Sequence, residues 1–488
     1  MIRNGLYNVT GAIIRLLLSL LTIPLLIRLI GIDKYGLWSF TMAVIGIVAL
    51  SEIGLSLSTT VFVARDLTSG NPQNIIETLT ITLSTMLILA SLAAISLWLA
   101  AVPLSGLIPN ISQAQRDEVA RTLAIGTPVI WARMLQQVLI GFKQAHQQYA
   151  EINILQTFQT AALTLGWLVV AWYGGGIAAL MGWQAVIALT FFALHVLFSL
   201  RLLQGLSLRP VWRWAKASYI ARYSLATWVS VLGTSLFSQF DRLIVGAILG
   251  PAALGFYAAV TNVTVQINTL SAMLVQPQFP VITQMLAEKA VDLSPLRERV
   301  RQAIAANTAG SLGLGTVFLA GSALILPVLM PNVNIEQLAA FRIVIIIYSL
   351  YSINAVGSYI LFGADRVPLC SAIIFCCGLA ALSLIALGSR SFGIVGAMIG
   401  NGGYVGTLIV YWFAMKTLDL PPWAWLTWIV MPVALFLGGS GLMLLASDQT
   451  NLVLLIGTVQ VCALGGWFAM AQRDIIRHVL HKLFPARL

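Results

Sequence analysis

Six charged side chains, Arg15, Glu52, Arg133, Asp241, Arg242 and Arg342, interrupt apolar stretches of this 488-residue sequence. Facing lipid near the middle of a membrane helix, each would cost about 2.5 to 3.5 kcal/mol, so they need a wet interior or one another. Arginine suits a diphosphate, because its planar fork makes paired charge-assisted hydrogen bonds and it stays protonated. Arg15 and Arg242 are the first candidates for such an anion, with Arg133 and Arg342 as further members of the set. The competing reading is that Arg15 neutralises Glu52 and Arg242 answers a neighbouring helix. Asp241 and Arg242 are consecutive, so they point in different directions on a helix. Glu52 and Asp241, as acids within apolar runs, are candidates for proton or sodium coupling. Neutral polar groups accompany the charges: Asn262, Gln266, Thr269 and Gln276 recur at steps of four, three and seven, which keep one helical face. Asn153, Gln156, Thr160 and Thr164 form a second series, and Gln136 and Gln137 follow Arg133. Amides and hydroxyls donate and accept, which suits sugar hydroxyls, although the same groups also hold membrane helices together.

The elements that must position these residues are membrane spans. Hydrophobic residues make up 59% of the chain, charged ones only 9%, and the mean hydropathy is +0.92, far from the range of soluble globular domains. At about 20 residues per span, the apolar runs predict an all-α integral membrane protein of about fourteen transmembrane helices. These fall near 6–30, 37–63, 78–102, 119–142, 151–173, 176–200, 220–249, 254–282, 302–327, 337–362, 368–388, 393–415, 425–446 and 451–470. Short connectors leave no room for a separate catalytic module. With about 1.5 Å per residue, Arg15, Glu52 and Arg133 fall at a similar depth from one side, and Asp241, Arg242 and Arg342 nearer the other. Cys370, Cys376, Cys377 and Cys462 lie in apolar spans without metal-ligand spacing. Gly393, Gly396, Gly400, Gly402 and Gly403 lack the lysine of a phosphate loop and read as close helix packing. No cofactor or metal is expected; His478 and His481 read as part of a solvated basic face.

Eighteen basic residues fall on the side that holds the N-terminus and four, Lys34, Arg116, Arg121 and Arg390, on the other. Both termini are therefore expected in the cytoplasm, with an even span count. The net charge of +11 is largely this asymmetry, and no continuous basic patch suggests nucleic acid as a partner. The N-terminal apolar run has no small-residue cleavage site and reads as a retained first helix. An internal repeat appears at an offset of 219: residues 25–31 with Gly36, Leu37 and Trp38 match residues 244–250 with Gly255, Phe256 and Tyr257. In each copy a span ends at glycine, turns over four residues and restarts at glycine. Copies six spans apart share a topology and are related by an axis along the membrane normal. Between them, 201–222 carries five basic residues among Trp212, Trp214 and Tyr219, as expected of a segment along the headgroups. The expected organisation is a six-helix lobe over 1–200, an amphipathic linker over 201–222 and a second lobe over 223–416. Spans thirteen and fourteen follow over 417–470, then an amphipathic tail over 471–488.

The runs Pro24-Leu25-Leu26-Ile27-Arg28-Leu29-Ile30-Gly31, Tyr35-Gly36-Leu37-Trp38, Glu52-Ile53-Gly54-Leu55 and Ala64-Arg65 resemble the opening of bacterial O-antigen and capsule flippases of the polysaccharide transport family. Residues 241–246 and 254–257 are similar to that family's seventh and eighth spans; at Glu52 the family often has Asp. The resemblance implies two pseudo-symmetric six-helix lobes around a central cavity, with two extra C-terminal helices. It implies a polyprenyl-diphosphate-linked oligosaccharide as substrate, moved from the cytoplasmic to the periplasmic leaflet of the inner membrane by alternating access. Membrane lipids, a polysaccharide polymerase and a chain-length regulator are the partners to expect. The rivals are a cation-coupled multidrug antiporter on the same scaffold, and a polysaccharide polymerase or ligase. The antiporter would want an unopposed acid in the cavity; the enzyme would want a large extracytoplasmic loop, and the longest here, near Pro103 to Glu118, is short.

Overall fold

The computed structural model describes residues 18, 21–52, 54–68, 72–203, 212–235, 237–287, 293–331, 333–446 and 449–472. Arg15 and the amphipathic tail beyond 472 lie outside the described residues, as does 204–211 of the linker. The described residues are mostly helical and contain no strand. Eleven of its segments are long and apolar enough to cross a membrane, and it is a multi-pass membrane protein. Where it is described, each predicted span from the second onward is built mainly of helix. Two compact units divide the chain, 1–258 and 259–488.

In the first unit, α1 (Leu21–Ile30) and α2 (Ile32–Ala49) are separated only by Gly31, and α10 (Phe237–Leu249) only by Gly250 from α11 (Pro251–Val275), whose first eight residues belong to this unit. The expected four-residue turn is therefore one residue long in both copies. Gly31 and Gly250 take φ of 84° and 83°, a left-handed backbone that glycine adopts without a Cβ penalty. The helical hydrogen-bond ladder resumes at once, Tyr35 N donating to Gly31 O at 3.0 Å and Leu254 N to Gly250 O at 3.1 Å. The two copies also meet. A Cβ on Gly36 would overlap the carbonyl oxygen of Pro251, and one on Gly255 would overlap that of Ile32. Positions 32 and 36 map onto 251 and 255 under the 219-residue offset. The contact is thus reciprocal, as a local two-fold axis requires.

The second span is broken: a 3-10 turn at Leu50–Glu52 and a left-handed Gly54 separate α2 from α3 (Leu55–Thr68). Trp228 Nε1 donates to the freed Leu50 carbonyl at 2.6 Å. The expected linker over 201–222 is described in part. Its second half opens α9 (Trp214–Ser235), where Lys216 Nζ reaches Asp66 at 3.0 Å, the Asn74 carbonyl at 2.9 Å and Glu77 at 3.8 Å, while Trp214 and Tyr219 remain exposed. This anchors α9 to α3 and to the start of α4 (Pro72–Ser105).

In the second unit, a break at Ser352–Asn354 divides the tenth span into α15 (Ile335–Tyr351) and α16 (Ala355–Gly363). Its freed carbonyls are satisfied: buried Asn307 donates to Ser352 O at 3.0 Å and Ile353 O at 2.8 Å, and Tyr411 Oη donates to Ile353 O at 2.7 Å. The eleventh and twelfth spans form a hairpin around Phe392 and Gly393, where Gly393 at φ 57° makes the turn. Gly388 and Gly396 pack backbone on backbone, and a Cβ on Gly400 or Gly403 would strike the backbone of Ile385 or Ala381. Of the five glycines expected in packing, three serve it. Gly393 turns the chain, and Gly402 has only an ordinary neighbour in Ile347.

Candidate functional site

Within the first unit, α6 (Thr127–Ala145), α7 (Tyr149–Trp172) and α8 (Ile177–Leu202) enclose a cavity of about 350 Å³, with Met42 of α2 on a further wall. Pro128 lies in the first turn of α6, where its missing N–H costs nothing. Most of that helix is buried, and Arg133 is the exception: protein surrounds it, yet its side chain is exposed because it faces the cavity. Among the described residues no hydrogen bond or ion pair engages its guanidinium, and no acidic side chain lines the cavity. A polar void that holds a cation without a described counter-charge has the chemistry to accept an anion.

The other polar walls are amides and one hydroxyl. Gln136 and Gln137 follow Arg133 on α6, Gln156, Gln159 and Thr160 come from α7, and Gln184 from α8. Gln136 and Gln159 close on each other, Nε2 to Oε1 at 2.9 Å one way and 3.3 Å the other. Gln184 is 3% exposed and its Oε1 has no partner among the described residues. Below the cavity α6 and α7 are tied by a fully buried Lys143, whose Nζ lies 3.1 Å from Glu151 Oε1.

Of the residues singled out in the sequence, Arg133, Gln136, Gln137, Gln156 and Thr160 share this cavity. Asn153 and Thr164 instead bond backbone carbonyls of their own helix, at Tyr149 and Thr160. Glu52 is half-buried in the helix break and does not line the cavity. Asp241 is 3% exposed; its two oxygens accept from Tyr257 Oη at 3.0 Å and from Arg242 N at 2.6 Å, a setting that locks it in place. Arg242 is half-buried on α10, which packs on α2, and lines neither this cavity nor the one below.

In the second unit, Arg342 is 1% exposed and its Nε donates to Ser322 Oγ at 2.9 Å. On α11, Gln266 Nε2 donates to Asn262 O at 3.1 Å and Thr269 Oγ1 to Val265 O at 3.3 Å, both within the helix, and Gln276 is exposed just past its end. A cavity of about 220 Å³ in this unit is lined by Leu274, Gln278, Arg299, Gln302, Phe468 and Gln472 among others, and includes none of that stripe. Sequence reasoning missed Gln159 and Gln184. Gln159 stands three residues after Gln156 on the same face, a readable signal, whereas Gln184 is a solitary amide in an apolar run.

Residues 1–286 match the family described as polysaccharide biosynthesis protein. The chain belongs to that family. No curated protein matches the sequence. The fold is similar to that of the lipid II flippase MurJ in an inward closed conformation, with a TM-score of 0.74, 11% identity and coverage of 98% of this chain and 100% of the other. It is also similar to an inward-facing multidrug resistance MATE family transporter of the MOP superfamily, with a TM-score of 0.66, 15% identity and coverage of 84% and 98%. A MATE transporter of Vibrio cholerae aligns with a TM-score of 0.51, 15% identity and coverage of 86% and 95%. At these identities the likeness establishes the fold.

Proposed function

We propose that this member of the polysaccharide biosynthesis family is a flippase for a polyprenyl-diphosphate-linked oligosaccharide, working by alternating access in the bacterial inner membrane without catalysing a reaction. The observation that carries this reading is Arg133, a cation with no counter-charge among the described residues, in a polar cavity walled by amides. An anionic group of the headgroup would be held at Arg133 while the lipid tail stays in the bilayer. Family membership and the fold shared with the lipid II flippase support the same substrate class. Arg15, Arg242, Arg342, Asn262, Gln266, Thr269 and Gln276 stay secondary candidates along the route, and Glu52 and Asp241 for coupling to protons or sodium. A multidrug resistance transporter has a similar scaffold, but a cationic drug would meet Arg133 with no carboxylate beside it among the described residues of this cavity.

Deleting the gene in its own host separates the two readings. A flippase predicts loss of surface polysaccharide and build-up of its lipid-linked precursor, both reversed by the intact chain but not by Arg133→Ala at equal protein level. Normal polysaccharide together with new sensitivity to cationic drugs would overturn the proposal in favour of the antiporter.

A further inference from the structure

An anion needs one or two cationic donors, yet among the described residues this cavity presents one arginine beside five glutamines contributed by three helices. Two of the five, Gln136 and Gln159, satisfy each other and hold α6 to α7. Gln184 is different: it is almost wholly buried, it lines the cavity, and its Oε1 has no partner among the described residues. A buried amide left without a partner loses about what a hydrogen bond is worth, so such a group is retained where a ligand or water completes it. The cavity volume of about 350 Å³ is at the small end of ligand pockets, which suits one ring of a saccharide rather than a whole oligosaccharide.

We infer that Gln184, which shares the cavity wall with the Gln136–Gln159 amide pair, is a specificity-determining residue that hydrogen-bonds a hydroxyl of the single monosaccharide next to the anionic group held by Arg133. This rests on the flippase reading and deepens it: the first unit reads one uncharged, hydroxyl-bearing sugar ring as well as the charge. Sites built to hydrogen-bond a hydroxyl discriminate strongly against a ligand that lacks it, because their own polar groups are then left unpaired. A bare lipid diphosphate therefore fills the Arg133 end and leaves Gln184 unsatisfied.

The test uses the purified full-length chain and native mass spectrometry with two probes, a polyprenyl diphosphate carrying one N-acetylhexosamine and the same lipid diphosphate without sugar. Wild type is expected to prefer the sugar-bearing probe about tenfold. Gln184→Met, close in shape but without amide atoms, is expected to bind the bare probe as wild type does and to lose the preference. An unchanged preference in Gln184→Met, or no preference in wild type, overturns the inference. Binding of neither probe by wild type would instead overturn the flippase reading beneath it. If Gln184→Met does not fold, Gln184→Asn decides: a weakened preference with intact bare-probe binding supports the subsite, and an unchanged one refutes it.

Discussion

At Arg133 charge and opening coincide, and this separates it from the other buried charges. Asp241 and Arg342 are held by Tyr257 and Ser322 in settings with 3% and 1% exposure, whereas Arg133 faces space. Arg133→Ala should lower the transport rate about ten- to a hundredfold at equal protein level. Arg133→Lys should keep an intermediate rate, since lysine supplies the charge without the fork; equal rates for the two variants in an initial-rate assay would contradict this. The Lys143–Glu151 pair makes a separate prediction about stability. Glu151→Ala would leave a fully buried ammonium without its partner, a loss of about 3 to 5 kcal/mol. It should lower the melting temperature of the purified chain, and Lys143→Met in the same background should restore part of it. No drop on Glu151→Ala would show that the pair is stabilised otherwise. Arg133 and the amides on its own helix were legible because a charge in an apolar run needs explaining. Gln184 was not, since its meaning comes from α6 and α7 packed against it. The α11 stripe shows the opposite failure: periodicity puts polar groups on one face, but Gln266 and Thr269 turn back to their own helix backbone.

The helices were readable as spans, and their interruptions were not. Hydropathy averages over about a full span, so the breaks at Leu50–Glu52 and Ser352–Asn354 pass unnoticed, although each exposes carbonyls that Trp228, Asn307 and Tyr411 must cover. The repeat was readable because its glycines are fixed by backbone geometry at Gly31 and Gly250 and by sterics at Gly36 and Gly255. Their reciprocity makes a prediction at this scale. Gly36→Ala and Gly255→Ala should each force α2 and the start of α11 apart and lower the melting temperature by similar amounts. Gly182→Ala, with nothing within 4 Å of the added methyl, should leave it unchanged. A large asymmetry between the two clamp variants would mean that the two halves of the contact are not equivalent.

For the whole molecule, sequence and structure agree on a multi-pass helical membrane fold, and a scaffold similar to that of a lipid II flippase and of multidrug resistance transporters cannot by itself choose a cargo. The energetics of the proposed cargo supply a test. A diphosphate with about two charges moving outward through an inside-negative membrane gains roughly 4 to 5 kcal/mol per 100 mV. In proteoliposomes a potassium diffusion potential without a pH gradient should therefore drive net movement of lipid-linked saccharide, and its collapse by ionophore should stop that movement. The most direct measurement is the transbilayer movement of a fluorescent polyprenyl-diphosphate-linked saccharide in such vesicles, followed by quenching from outside, with the wild-type chain and with Arg133→Ala. The wild type is expected to speed the exchange well above protein-free vesicles and Arg133→Ala to bring it close to that background. Equal rates for wild type and Arg133→Ala, or no movement with the wild type while a cationic dye is exported, would contradict the account.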